Sequence, residues 1–114
     1  MPLIKIQTSV KVQDKAALAL ELSKVCAQCT KKPEGYVQSV VEDDAVIAMG
    51  GKIENSAFVE VKGIGGLNPA VNKALSAAIC KTLEEKLKIS PSAVYINFTD
   101  IAASNWGHNG STFG

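Results

Sequence analysis

Cysteine, histidine and net charge are all scarce in this chain, and each scarcity removes a class of function. Three cysteines are too few and too unevenly placed to staple a secreted disulfide scaffold. One histidine and no second cysteine pair leave too few ligands at workable spacing for zinc. The formal net charge is +1 and no basic face stands out, so the footprint of a nucleic-acid binder is missing and no nucleic-acid partner is expected. No apolar run approaches the length of a membrane span. No charged segment followed by an apolar one opens the chain as a secretory signal would. Without secretion, the sequons Asn97-Phe98-Thr99 and Asn109-Gly110-Ser111 carry no meaning. The expectation is a cytoplasmic protein with no membrane partner, export without a signal peptide being the alternative.

What is present describes one soluble domain spanning 1–114. Hydrophobic residues make up 46% and charged residues 20%, the balance of a globular core with a wet surface. Alternation from Ile4 to about Thr8 predicts a strand. Gln13-Asp14-Lys15 leads into a helix to about Thr30, with Leu18, Leu22, Val25 and Cys29 at helical spacing and Ala17 and Cys26 beside them. Lys31 to Gly35, with Pro33, stops it. Tyr36–Val41 reads as a second strand, Glu42-Asp43-Asp44 as a turn, and Ala45–Met49 as a short strand returning in a hairpin. The second half repeats the first. Ala57–Lys62 is a strand and Gly63-Ile64-Gly65-Gly66 a turn. Asn68 and Pro69 are the N-cap and first residue of a helix striped by Val71, Leu75, Ile79, Leu83 and Leu87. Ser90-Pro91 closes it, and Val94–Phe98 is the last strand.

The order is therefore a duplicated β-α-β unit, an α+β fold. Right-handed crossovers make the strands of each unit parallel. Two units side by side give a four-stranded mixed sheet with two helices on one face. The other face is left bare, and its expected cover is another copy of the chain.

Several residues invite a chemical reading. Pro2 either merely starts a strand, where its missing N–H does little harm, or, once Met1 is removed, presents a rigidly held secondary amine. Cys26-Ala27-Gln28-Cys29 matches a redox pattern, but lies near a helix end where the dipole disfavours thiolate; core packing is the expectation. Gly63–Gly66 fits a tight turn, a phosphate cradle lacking the full motif, or a close backbone approach to a ligand. Tyr95 and Asn97 alternate to the bare face, where subunit contacts or a ligand must satisfy them. Lys32 ends the first helix in a loop, where a lone lysine is usually solvated. Trp106, His108 and Phe113 crowd a Gly/Asn/Ser-rich tail, and either dock on a neighbouring subunit or wall a pocket. With no Asp, Ser or Cys pattern nearby, His108 reads as a polar wall residue rather than a base.

Taken together, Pro2 behind Met1, Lys32-Pro33, Met49-Gly50-Gly51, Ile64-Gly65, Ile89-Ser90-Pro91, Val94-Tyr95-Ile96-Asn97 and Asn109-Gly110-Ser111-Thr112-Phe113 resemble the macrophage migration inhibitory factor family of the tautomerase superfamily. The order and spacing of the segments carry the likeness, over nearly the whole chain. It implies a homotrimer and a keto–enol tautomerase acting on phenylpyruvate and related aryl pyruvates, with no cofactor and no metal. It implies Pro2 as catalytic base after Met1 removal, and Lys32 and the Ile64 backbone at the substrate carboxylate. It also implies Tyr95 and Asn97 reaching in from the adjacent subunit, and Trp106 and Phe113 lining the pocket. The alternative is a cytokine-like signalling protein with a receptor partner and a vestigial pocket. Two departures have consequences. Ser56 and Val59 stand where animal members have a C-x-x-C pair, so the oxidoreductase behaviour of that motif is not implied. Trp106 replaces a small aliphatic residue and His108 a tryptophan, so pocket shape and substrate preference are expected to differ.

Overall fold

A computed structural model describes all residues from Met1 to Gly114. Strand β1 (Leu3–Thr8) is followed by helix α1 (Lys15–Thr30) and strand β2 (Gln38–Glu42). A small hairpin, β3 (Ala48–Met49) and β4 (Lys52–Ile53), leads to β5 (Ala57–Gly63), helix α2 (Pro69–Leu87) and β6 (Val94–Asp100). A second small hairpin, β7 (Gly107–His108) and β8 (Ser111–Thr112), ends the chain. The long strands form a four-stranded sheet in the order β2-β1-β5-β6. Each β-α-β unit pairs its strands in parallel, and β1 and β5 join the two units antiparallel.

The sheet has two unlike faces because side chains alternate along every strand. On the helix side, Ile4 and Ile6 of β1 meet Val61 and Val59 of β5, which meet Phe98 and Ile96 of β6. Leu22 and Cys26 of α1 and Leu75, Ile79 and Leu83 of α2 close over them, all fully buried. On the other side, Lys5, Gln7, Phe58, Glu60, Tyr95 and Asn97 share a face that no element of the chain covers. Tyr95 is 66% exposed there.

Both helices start where the sequence places them. The Asp14 carboxylate accepts from the Ala17 N–H at 3.0 Å, and the Asn68 side chain accepts from the Val71 N–H at 2.9 Å with Pro69 in the first turn. Each satisfies an N–H that the helix itself leaves unpaired. The buried line of α1 departs from expectation. It runs Leu18, Leu22, Cys26 and Thr30, with Val25 and Cys29 on its shoulder and Ala17 exposed. Thr30 is tolerated inside because its hydroxyl donates to the Cys26 carbonyl at 2.6 Å.

Two strand expectations are corrected. Tyr36 does not begin β2; Glu34–Tyr36 form a 3-10 turn and the strand starts at Gln38. Ala45–Met49 does not return against β2. Asp44, in the left-handed region at φ 59°, turns the chain so that the Asp44 and Ala45 N–H groups donate to the Val10 and Thr8 carbonyls. Only Ala48 and Met49 are strand, paired with Ile53 and Lys52. Gly50 and Gly51, at φ 61° and 77°, supply the two positive dihedrals that a two-residue turn of this hand requires.

Candidate active site

Pro2 is buried at the entry to β1. Its carbonyl accepts a hydrogen bond from the Gln38 N–H at 3.0 Å, so the β1–β2 ladder holds the residue although proline has no N–H of its own to give. It lines two depressions at once. One is lined by Thr30, Lys32, Gly63, Ile64, Gly65 and Leu67. The other is a groove of about 400 Å³ walled by Tyr36, Val37, Gln38, Trp106, His108 and Phe113.

The first depression is built from helix ends. Lys31 takes a left-handed conformation at the C-cap of α1 (φ 57°), and Lys32 then runs back across the glycine turn. A Cβ on Gly66 would stand 2.9 Å from Lys32 Cε, closer than side chains tolerate, and Gly66 itself has φ 76°. The turn is tied to the end of β6: the Gly65 N–H donates to the Asp100 carboxylate at 2.9 Å and the Ile101 N–H to the Gly63 carbonyl at 2.8 Å. This disfavours the phosphate-cradle reading, since a carboxylate already takes one of the loop donors. The Ile64 N–H donates to no atom of the chain.

The groove is built from the tail. Asn109 and Gly110 (φ 52° and 79°) turn β7 into β8, and the Phe113 N–H donates to the Trp106 carbonyl at 3.2 Å. Alternation puts Trp106, His108 and Phe113 on one face of this hairpin. His108 and Phe113 stack with ring centroids 5.4 Å apart and an interplanar angle of 9°.

Electrostatics around the chain end favour a neutral amine. The terminal ammonium, carried by Met1 here, has its pKa lowered from 8.0, first by burial and then by the Lys32 charge, with Cys26 opposing. Loss of Met1 would make the Pro2 nitrogen the terminal amine, in the same depression as Lys32. Cys26, by contrast, is pushed up to about 11 by burial and by its neighbour Cys29. The pair therefore lacks the thiolate a redox motif needs, as its place in the core implies.

Pro2, Lys32, Ile64, Trp106 and Phe113 thus converge within one chain. Tyr95 and Asn97 do not join them. Through the sheet register Tyr95 is level with Gln7 and Asn97 with Lys5, two strands away. The four residues between Gln7 and Pro2, five steps of the strand, correspond to about 17 Å along it. Sequence reasoning missed Tyr36 and Gln38 as groove residues; a tyrosine beside a Pro/Gly stop was the available signal.

The family model for macrophage migration inhibitory factor matches residues 1–114. The chain belongs to that family. A macrophage migration inhibitory factor homolog of Brugia malayi is 36% identical over 115 residues, covering 100% of both chains. Macrophage migration inhibitory factor of Meriones unguiculatus is 35% identical over 114 residues, covering 99% of each. The crystal structure of a family homologue from Prochlorococcus marinus superposes with a TM-score of 0.94 at 40% identity, covering 98% of this chain and 99% of that one. The two-helix, four-stranded α+β architecture is the family's, and with it the tautomerase superfamily fold.

Proposed function

We propose that the protein is a cofactor-independent keto–enol tautomerase of phenylpyruvate-like aryl pyruvates, with the Pro2 amine as general base once Met1 is removed. The observation that carries the reading is the burial of Pro2 at the seam between the Lys32–Ile64 depression and the aromatic groove. Removal of a proton alpha to a carbonyl needs a base poised near neutral pH, and the lowered pKa of the chain-end amine is of that kind.

In this mechanism Lys32 and the Ile64 N–H hold the substrate carboxylate by charge-assisted and backbone hydrogen bonds. The aryl ring lies in the groove against Trp106 and Phe113. The Pro2 nitrogen takes the proton from the carbon between ring and carbonyl, and charge moves to the carbonyl oxygen. Tyr95 and Asn97 of an adjacent subunit in a homotrimer donate to that oxygen. A proton is then delivered to oxygen, giving the enol; the reverse sequence gives the ketone.

The test uses protein whose N-terminus is verified by intact mass. Pro2→Gly is expected to lower phenylpyruvate tautomerisation by at least a hundredfold, within the usual reach of a general base, without altering the oligomer. Unchanged turnover would remove Pro2 as base. The relatives' names point to a second reading, a cytokine-like protein that engages a receptor. In that case Pro2→Gly would leave cell migration assays unaffected and wild-type turnover would be negligible.

A further inference from the structure

The end of β6 grips the Gly63–Gly66 turn at two consecutive peptide groups. The Ile101 N–H donates to the Gly63 carbonyl at 2.8 Å, and the Gly65 N–H donates to the Asp100 carboxylate at 2.9 Å. Every peptide bond in the chain is trans, so the C=O and N–H of each planar unit point in opposite directions. The Gly63 carbonyl and the Ile64 N–H belong to one such unit. With the carbonyl turned toward β6, the Ile64 N–H faces the opposite way, toward β1, because β5 lies between β1 and β6. Leu3 pairs antiparallel with Lys62, and one step further along that register Pro2 comes level with Gly63. The free N–H therefore points to the side of the turn on which Pro2 lies, where both residues line the same depression.

The turn has little else to hold it. Gly65 and Gly66 have φ of 67° and 76°, and a Cβ on Gly65 would meet nothing within 4 Å. The one side-chain hydrogen bond to the turn is that of Asp100. Asp100 is exposed and lines neither depression beside Pro2, so its carboxylate acts on a ligand only through the backbone it holds. Gly66, in the same turn, lies under Lys32. One tether thus sets both the Ile64 donor and the surface on which the lysine rests.

We propose that Asp100 is a positioning residue for anion binding, its carboxylate fixing the Ile64–Gly65 segment so that the Ile64 N–H is held out toward a ligand carboxylate. This deepens the reading of Ile64 and Lys32 as the carboxylate site and rests on it. The bond from Ile101 polarises the Gly63–Ile64 peptide and makes its N–H a stronger donor, but only while the turn keeps its direction. The property that matters at position 100 is an acceptor oxygen. Asparagine keeps that oxygen and loses the charge; alanine loses both.

The experiment follows deuterium exchange at the benzylic carbon of phenylpyruvate and of phenylacetone, which has a methyl in place of the carboxylate. It compares wild type, Asp100→Asn and Asp100→Ala. In Asp100→Ala, KM for phenylpyruvate is expected to rise about tenfold, the scale of one hydrogen bond to a charged group, with kcat and phenylacetone exchange nearly unchanged. Asp100→Asn is expected to behave as wild type with both ketones. Equal losses for both ketones in Asp100→Ala, equal losses in the two variants, or no loss in Asp100→Ala overturns the assignment. Amide 1H–15N spectra with 3-phenylpropanoate test it without turnover, and decide it where phenylacetone exchanges too slowly to compare. The Ile64 resonance is expected to shift on addition of this acid in wild type and Asp100→Asn, and to stay in place in Asp100→Ala at the same concentration. An equal Ile64 response in all three proteins, or none in wild type, overturns the assignment. If wild type turns over neither ketone but shows the expected Ile64 pattern, the tautomerase reading fails and the Asp100 assignment stands.

Discussion

Lys32 has two jobs at the scale of a single residue, and they are separable by pH. Its ammonium can hold an anionic substrate, and it also lowers the pKa of the chain-end amine. A base works only unprotonated, so activity is expected to be present above the amine's pKa and lost as pH falls through it. In Lys32→Ala one of the lowering influences is gone, so the acid limb of the kcat profile is expected to move to higher pH while KM rises. A pH–rate profile of both proteins checks this; an acid limb that stays in place would mean that burial alone sets the base. Pro2 and Lys32 were legible because proline behind the initiator methionine and lysine at a helix stop are local signals. Tyr36 was not, because whether a tyrosine begins a strand or sits in the preceding 3-10 turn depends on where the β1 ladder ends. Here Gln38 is the partner of Pro2, and that pairing sets the strand start.

At the scale of elements, turns position the site as much as strands do. Gly66 lies under Lys32, so Gly66→Ala is expected to displace that side chain and raise KM for anionic substrates several-fold, with a modest loss of stability, as steady-state kinetics and thermal melts would show. The positive φ at Gly66 adds a backbone penalty of about 1 kcal/mol. On the far side of the fold, the Asp43 carboxylate accepts from the Val12 N–H at 2.8 Å and pairs with Lys15 at 3.5 Å. The Val12 N–H first and Lys15 second hold its pKa below the usual 3.8. A depressed carboxylate contributes stability above its unfolded pKa and loses it as pH falls through the folded one. Asp43→Asn is therefore expected to lower Tm near neutral pH and to flatten the fall of Tm as pH drops below the ordinary aspartate value. The helices and long strands were readable from periodicity and caps. The small hairpins were misread in part, because two-residue strands have no periodicity and their register comes from paired positive dihedrals at Gly50-Gly51 and Asn109-Gly110.

For the molecule as a whole, the duplicated unit explains both the core and what it leaves uncovered. Leu75, Ile79 and Leu83 are fully buried against the sheet, so Leu75→Ala is expected to cost about 2–5 kcal/mol, measurable by denaturant unfolding. The opposite sheet face, with Tyr95, is uncovered in the single chain, as are Val46 and Ile53 at 90% and 73% exposure. If Tyr95 and Asn97 serve the Pro2 of a neighbouring subunit, neither Pro2→Gly nor Asn97→Ala protein is active alone. Refolding the two together is expected to restore activity, because some mixed sites then hold both native residues. Absence of any recovery would place each site within one chain. Sequence alone indicated the bare face, since two right-handed units side by side put both helices together.

Pro2 and Phe113 border the same groove, and a Cβ on Gly114 would already collide with Ala103 and Ser104. Purification handles or fluorescent fusions at either terminus would therefore crowd the opening or acylate the amine. The Gly50-Gly51 turn, with open space around both glycines, is the better attachment point for a label meant to leave turnover intact.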